Sequence, residues 1–233
     1  MMNEREFCEA LAKRGLFLSN EQMKQFNDYA AFLVAYNEKV NLTAITDYED
    51  ILLKHFYDSL LPGFRREMKG RLVDVGSGAG FPGVVLKIAY PELEVILLEP
   101  LKKRCVFLEE LIGRLGLKGI SVVNERGEDY SLIKREAYDY VTARAVSNLN
   151  MLIEVCGAMV KKGGYFIALR GHEGIAEIER AARAIKTMGF VVEDTYQEHL
   201  ADGSLRVISF FKKESSCKDR FPRKYSIIKQ KPL

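Results

Sequence analysis

The sequence predicts an α/β fold of five parallel strands with intervening helices, a C-terminal antiparallel hairpin at one edge and an N-terminal helical extension. Three observations predict it. Short apolar runs alternate with amphipathic segments from residue 71 onward, the pattern of repeated βα units. A strand ending in Asp74-Val75 runs directly into Gly76-Ser77-Gly78-Ala79-Gly80. The chain before it carries a helical period instead, with Met23, Phe26, Ala30, Leu33, Asn37 and Val40 on one face.

Each element has its own signal. Ser19-Asn20-Glu21-Gln22 has capping-box spacing and starts the first long helix. Asp47 caps a second helix through His55, and Pro62-Gly63 interrupts the pattern before the basic connection Arg65 to Gly70. Residues 1–70 therefore read as the extension. Leu72 to Val75 is the first strand and Glu94 to Glu99 the second, joined by a glycine turn and a short helix through Ala89. A helix with apolar face Cys105, Leu108, Ile112 and Leu115 follows. Ile120 to Val123, Tyr138 to Thr142 and Tyr165 to Leu169 read as strands three to five, and Glu173 to Met188 as one amphipathic helix. Phe190 to Glu198 and Leu205 to Phe211 flank Ala201-Asp202-Gly203-Ser204 as a hairpin. The main domain is thus 71–213, and 214–233 reads as a basic, extended tail.

Composition narrows the class. At 233 residues, 48% hydrophobic and 29% charged, the chain excludes wholesale disorder and coiled-coil or collagen-like architecture. Met1 to Arg14 mixes Glu4, Arg5, Glu6, Glu9 and Lys13 into its apolar residues, unlike a secretory signal. No apolar run approaches the roughly 20 residues that span a bilayer. A cytoplasmic protein with no membrane partner is expected. Cys8, Cys105, Cys156 and Cys217 are far apart and lack metal-ligand spacing, so reduced thiols and no metal are expected. The net charge of +3 names no partner, but its distribution is informative. Lys218, Arg220, Arg223, Lys224, Lys229 and Lys231 stand against one acid, Asp219, interleaved with Phe221 and Tyr225. Such a tail can bind phosphates and stack on bases, or merely solubilise the terminus.

The glycine loop points to a cofactor. Glycines at 76, 78 and 80 allow a tight turn and close approach of backbone to ligand. A dinucleotide fingerprint would need glycine at 81, where Phe81 stands, which disfavours a nicotinamide oxidoreductase. G-x-G-x-G after an acidic strand end resembles the first motif of class I methyltransferases, a Rossmann-like fold. There Asp74, with Gly76, Ser77, Gly78 and Gly80, lies near the cationic methionine part of S-adenosyl-L-methionine. Glu99 at the end of the second strand can accept two hydrogen bonds from a ribose diol, or cap the helix that begins at Leu101. Arg126-Gly127-Glu128-Asp129 lies where adenine should rest, although a solvated loop explains it almost as well.

The ordered set Asp74 to Gly83, Lys103-Arg104, Phe107-Leu108 and Ala143-Arg144-Ala145 resembles the bacterial RsmG (GidB) family. Asn41-Leu42-Thr43, His55 with Asp58-Ser59, and Arg220, Pro222-Arg223 and Lys231-Pro232-Leu233 extend the resemblance over nearly the whole chain. It implies methylation of guanine N7 in 16S ribosomal RNA, with 16S rRNA or the small ribosomal subunit as partner. It implies cofactor contacts from Gly76, Phe81, Gly127, Glu128 and Arg144, with Glu99 at the ribose. Lys103, Arg104, Arg170 and the tail residues Arg220, Arg223, Lys224 and Lys231 are the RNA candidates. Arg170 stands where the family pattern has lysine, and Ser226 and Ile228 replace its glycine and proline.

No catalytic base is assigned. Guanine N7 presents a lone pair and carries no proton, so transfer needs alignment and desolvation more than proton removal. Arg144 is expected to contact phosphate, O6 or cofactor, because a donor on N7 itself would block the reaction. His55 reads as a packed, hydrogen-bonded side chain or as a contact to RNA or cofactor, and Asp58 with Ser59 as closing its helix or bracing the glycine loop. A methyltransferase acting on another RNA or a small molecule, and a noncatalytic RNA-binding protein retaining the fold, are the alternative functions. Oligomeric state is open.

Overall fold

Side-chain caps set the first elements. The computed structural model describes residues 2–144 and 147–233; Ala145 of the Ala143-Arg144-Ala145 motif lies outside the described residues. Asn3 caps α1 (Glu4–Ala12) and Ser19 caps α2 (Asn20–Asn37), with Glu6 and Gln22 returning a bond to the N–H of the cap residue. Asn37 ends α2 by gripping the chain ahead: its Oδ1 accepts from Leu42 and Thr43 N–H, and its Nδ2 donates to the Thr43 carbonyl. Asp47 caps α3 (Tyr48–Ile51), which continues through a π-helical stretch, Leu52–Tyr57, into α4 (Asp58–Leu60) and a 3-10 turn, Leu61–Phe64. The expected helix from Asp47 is present, but it widens around His55, and π-helical turns are frequent at functional sites.

The described residues then alternate as β1 (Gly70–Val75), α5 (Gly83–Ala89), β2 (Leu93–Leu98), α6 (Lys102–Leu115), β3 (Ile120–Val123), α7 (Gly127–Ile133), β4 (Tyr138–Arg144), α8 (Leu149–Gly157) and β5 (Val160–Arg170). α9 (Gly174–Arg180), α10 (Ala182–Thr187), β6 (Phe190–His199), β7 (Leu205–Lys213) and α11 (Tyr225–Gln230) complete the chain. The sheet order is β3-β2-β1-β4-β5-β7-β6, with β1 to β5 parallel and β7 antiparallel to both β5 and β6. That is the expected five-strand parallel sheet with a terminal hairpin. Strand order reverses between β1 and β4, and a crevice at the carboxyl ends of the strands follows from that reversal.

Two apolar layers cover the sheet. On one face Phe7, Phe26, Tyr29 and Phe56 of the N-terminal helices share a core with Phe81, Val84, Leu97 and Phe107. Residue 70 therefore marks a change of sequence pattern, while the core runs across it. On the other face β4, α8 and α10 form a core that also takes in Cys217, Phe221 and Ile228 from the C-terminal segment.

Two expectations are corrected, and one helix is added that the sequence reading did not assign. The single helix from Glu173 to Met188 is broken at Ala181 into α9 and α10. The added helix is α8, in which Leu149, Met151, Leu152, Ile153, Glu154, Val155, Cys156 and Gly157 are all buried. The tail is packed, not extended: Phe221 and Pro222 are buried, Arg135 donates to the Phe221 and Cys217 carbonyls, and α11 follows.

Candidate active site

The loop after β1 has the curl its glycines predict. Gly76 N–H donates to Leu98 O at 2.7 Å, Gly80 and Phe81 N–H donate to Ser77 O, and Ser77 Oγ donates to Asp74 O at 2.9 Å. Gly76, Gly78 and Gly80 have φ of 71°, 57° and 97°, which residues with a Cβ rarely adopt. The N-terminal helices brace the turn, for Tyr29 donates its hydroxyl to Ala79 O and stacks on Phe81.

Asp74 is fully buried on β1 between Leu97 of β2 and Thr142 of β4. Its Oδ2 accepts from Gly83 N–H at 2.9 Å, and Oδ1 has no partner among the described residues. Burial pushes its pKa up to about 7, against the opposing pull of Gly83 N–H and the Arg144 charge. A buried acceptor without a donor is a site for a ligand's donor, and a cationic amine suits it. The residues present therefore fit the expected cofactor.

Glu99, just beyond β2, is 1% exposed and holds two elements at once. Oε2 accepts from Gly78 N–H and Oε1 from Leu101 N–H, both at 2.9 Å. The capping role considered from sequence is thus real, and it ties the start of α6 to the glycine loop. A carboxylate retains further lone pairs for a ribose diol. Glu99→Gln leaves one of the two N–H groups without its acceptor, so S-adenosylmethionine binding is expected to weaken by about 1–3 kcal/mol. Calorimetry measures it; an unchanged dissociation constant with a lowered melting temperature leaves the capping role alone standing.

Beyond Glu99 lies a slot of about 150 Å³ with an apolar wall formed by Leu98, Pro100, Met151, Leu152 and Val155. Gly76, Gly127 and Glu128 also line it, together with Tyr225 from α11. Arg126-Gly127-Glu128-Asp129 is not a solvated loop, since it opens α7 and Glu128 is buried. Gly127 is required by packing: a Cβ there would lie 2.7 Å from Val155 Cγ1 and 3.0 Å from Val75 Cγ1. Pro100, Met151, Leu152, Val155 and Tyr225 are slot residues that the sequence did not single out for this place, and of them only Tyr225 stood out at all. Its signal was an aromatic in a basic tail, read as a base-stacking group.

Arg144, at the end of β4, is held by a polar network. Nη1 donates to Asp58 Oδ2 at 3.1 Å and to Lys54 O, and Nη2 approaches His55 Nδ1 at 3.3 Å. His55 Nε2 meets Thr43 Oγ1 at 2.8 Å, which fits a neutral ring donating from Nε2, and burial with the nearby Arg144 charge lowers the His55 pKa to about 3. Asp58 also accepts from Arg206 at 2.9 Å. The guanidinium of Arg144 lies 4.8 Å from the Phe81 ring centroid and the His55 ring stacks on Phe81 at 4.4 Å. Thr43, His55, Asp58 and Arg144 therefore fix Phe81, and with it the end of the glycine loop.

The RNA candidates divide by their partners. Lys103 is exposed at the start of α6, and Arg104 comes up beside Gly78. Arg220, Lys224 and Lys231 are exposed. Arg170 forms a two-bond pair with Glu177 of α9, both bonds at 2.5 Å. Arg223 reaches inward to Glu154, which is 0% exposed, through Nε at 2.7 Å, Nη2 at 2.6 Å and its backbone N–H at 3.0 Å. Unlike the exposed lysines, Arg223 spends its fork on a carboxylate that cannot stay buried alone.

A reversing parallel sheet, a glycine turn at its switch point, acidic residues closing β1 and β2 and an apolar slot beside them define an S-adenosylmethionine-dependent methyltransferase of the Rossmann-like class. The model of the GidB family, rRNA small subunit methyltransferase G, matches residues 22–214, and the chain belongs to that family. Relatives named ribosomal RNA small subunit methyltransferase G include one from Staphylococcus epidermidis, 44% identical with 97% of this chain and 96% of its own length covered. Those from Lysinibacillus sphaericus and Listeria monocytogenes are 40% and 41% identical over the whole of both chains. The fold also matches M. jannaschii TYW2 in complex with AdoMet, with a TM-score of 0.54 at 17% identity, covering 67% of this chain and 76% of that one. No helix among the described residues is long and apolar enough to cross a membrane.

Proposed function

We propose that this protein transfers a methyl group from S-adenosylmethionine to N7 of a guanine in 16S ribosomal RNA. Membership of the small-subunit methyltransferase family supports the substrate. The observation that carries the chemistry is Asp74 Oδ1, a fully buried acceptor without a donor among the described residues, on the strand that leads into the glycine loop. When bound, the cofactor supplies an electrophilic methyl group.

The chain's part is to bind and align. Asp74 takes the cationic amine, Glu99 the ribose, and Gly127 and Glu128 the adenine edge, while the apolar slot excludes water. Gly76, Ser77, Gly78, Gly80 and Phe81 form the turn that receives the cofactor, and Arg144, beside Phe81, contacts it or the incoming nucleotide. Arg144 keeps its bonds to Asp58, Lys54 O and His55, and its remaining N–H groups serve cofactor, phosphate or O6. Lys103, Arg104, Arg220, Lys224 and Lys231 meet phosphates. The partner is 16S rRNA or the small subunit, and the cytoplasm is the corresponding compartment.

Labelled S-adenosylmethionine offered with naked 16S rRNA, partly assembled subunits and mature subunits tests this reading. Label recovered as 7-methylguanosine by mass spectrometry is the expected result. Transfer to none of the three, or to a different nucleoside, overturns it.

A further inference from the structure

Tyr225 and the segment that carries it occupy a position that the glycine loop does not explain. The slot beside Glu99 is walled by the carboxyl ends of β1 and β2, by α7 and by α8, all parts of the parallel sheet domain. Its remaining side comes from residue 225, after the last strand has ended. Tyr225 is 37% exposed, so its ring lies at the rim, and Arg126 at the N-cap of α7 has its guanidinium 5.9 Å from the ring centroid.

The approach to Tyr225 is clamped. Two residues earlier, Arg223 makes three hydrogen bonds to Glu154. Glu154 belongs to α8, the helix that supplies Met151, Leu152 and Val155 to the same slot. Arg223 Nη2 also donates to Lys231 O, which joins the two ends of α11, and Ile228 between them is fully buried. A fork between a fixed guanidinium and a fixed carboxylate specifies orientation as well as contact. The ion pair therefore sets where Tyr225 stands relative to the slot.

We propose that the C-terminal segment is the closing wall of the cofactor pocket, in which the Arg223–Glu154 pair latches Tyr225 over the adenine end. This rests on the cofactor reading above. An aromatic ring on the rim of an apolar slot gives a flat heterocycle a face or edge to pack against and reduces its contact with water. Arg126, whose guanidinium lies over the ring of Tyr225, restricts it in turn. The segment thus serves the cofactor as well as offering Lys224 and Lys229 to solvent.

Calorimetry with S-adenosylmethionine, S-adenosylhomocysteine and adenosine tests it on the full chain. Tyr225→Ala is expected to weaken all three by roughly tenfold, while Tyr225→Phe, which keeps the ring, stays within about twofold of the parent. Arg223→Ala is expected to weaken binding similarly and to speed amide exchange in residues 221–231, showing that the latch acts through the segment. Melting curves establish that each variant is folded. Unchanged affinity for all three ligands in folded Tyr225→Ala overturns the wall and leaves the cofactor reading intact. A parent protein that binds none of the three overturns both.

Discussion

Removing residues 218–233 is expected to lower the melting temperature steeply and to take cofactor binding with it. Glu154 is 0% exposed and loses the guanidinium and the N–H that satisfy it. Stripping one partner from a buried pair costs about 3–5 kcal/mol. Phe221, at 3% exposure, and Ile228, at 0%, leave the core on the α8 face, and burial of such side chains stabilises by about 1.5–3 kcal/mol each. Against a usual total of about 5–15 kcal/mol these losses are large. The composition of the tail suggests the opposite result, a detachable basic arm whose loss spares the cofactor. Thermal melting and calorimetry on the truncated protein decide between them, and a full-length melting temperature with full cofactor affinity would refute the packed-tail account. Replacing exposed Lys218, Lys224, Lys229 and Lys231 by Gln in the intact chain isolates the RNA contribution. The salt slope of RNA binding should then fall while the melting temperature holds.

The second large effect is at Asp74. Its pKa stands at about 7, raised by burial from an ordinary 3.8. A carboxyl group raised on folding makes the native state bind more protons than the unfolded chain between those two values. Its contribution to stability is therefore most favourable below about pH 4, declines as pH rises to about 7, and is constant above that. Cofactor affinity has the reverse trend. The bound cation favours the carboxylate, so affinity should rise as pH climbs toward about 7, by up to about tenfold per unit, and level off above it. Asp74→Asn should remove that pH dependence and weaken binding by about 1.5–3 kcal/mol near pH 7.5, since a neutral amide replaces a charge-assisted partner. It should also be no less stable than the parent at that pH, because the cost of a buried charge is gone. Calorimetric titrations between pH 5.5 and 7.5 and melts on both proteins test the pair of trends. A parent affinity independent of pH, or retention of the dependence in the Asn variant, would remove Asp74 from the cofactor's cationic group.

Much of this architecture is written locally. Ser19 and Gln22 form their capping box within four residues, and the helix they start is where the period of Met23, Phe26, Ala30 and Leu33 puts it. The turn at residues 76–80 was legible because positive φ excludes most side chains, so glycine spacing records backbone geometry directly. Asp74 and Glu99 could be read because both lie at the carboxyl ends of recognisable strands, and the order of strands in such a sheet brings those ends together. What depended on contacts between distant residues could not be read this way. Helix α8 is buried on nearly every side by packing from distant parts of the chain. Its Glu154 looks like any solvated acid until Arg223, 69 residues later, is found on it. Charge alone made Arg223 and Arg170 equal to Lys224 and Lys231 as RNA ligands, and only the fold showed that Glu154 and Glu177 had taken the two arginines. The sequence determined the strands, the glycine turn and the chemical class, because each rests on backbone conformation or on a pattern within a few residues. The tertiary structure decided how Phe81 is held and which side chains complete the slot, because those depend on burial and pairing across the whole chain.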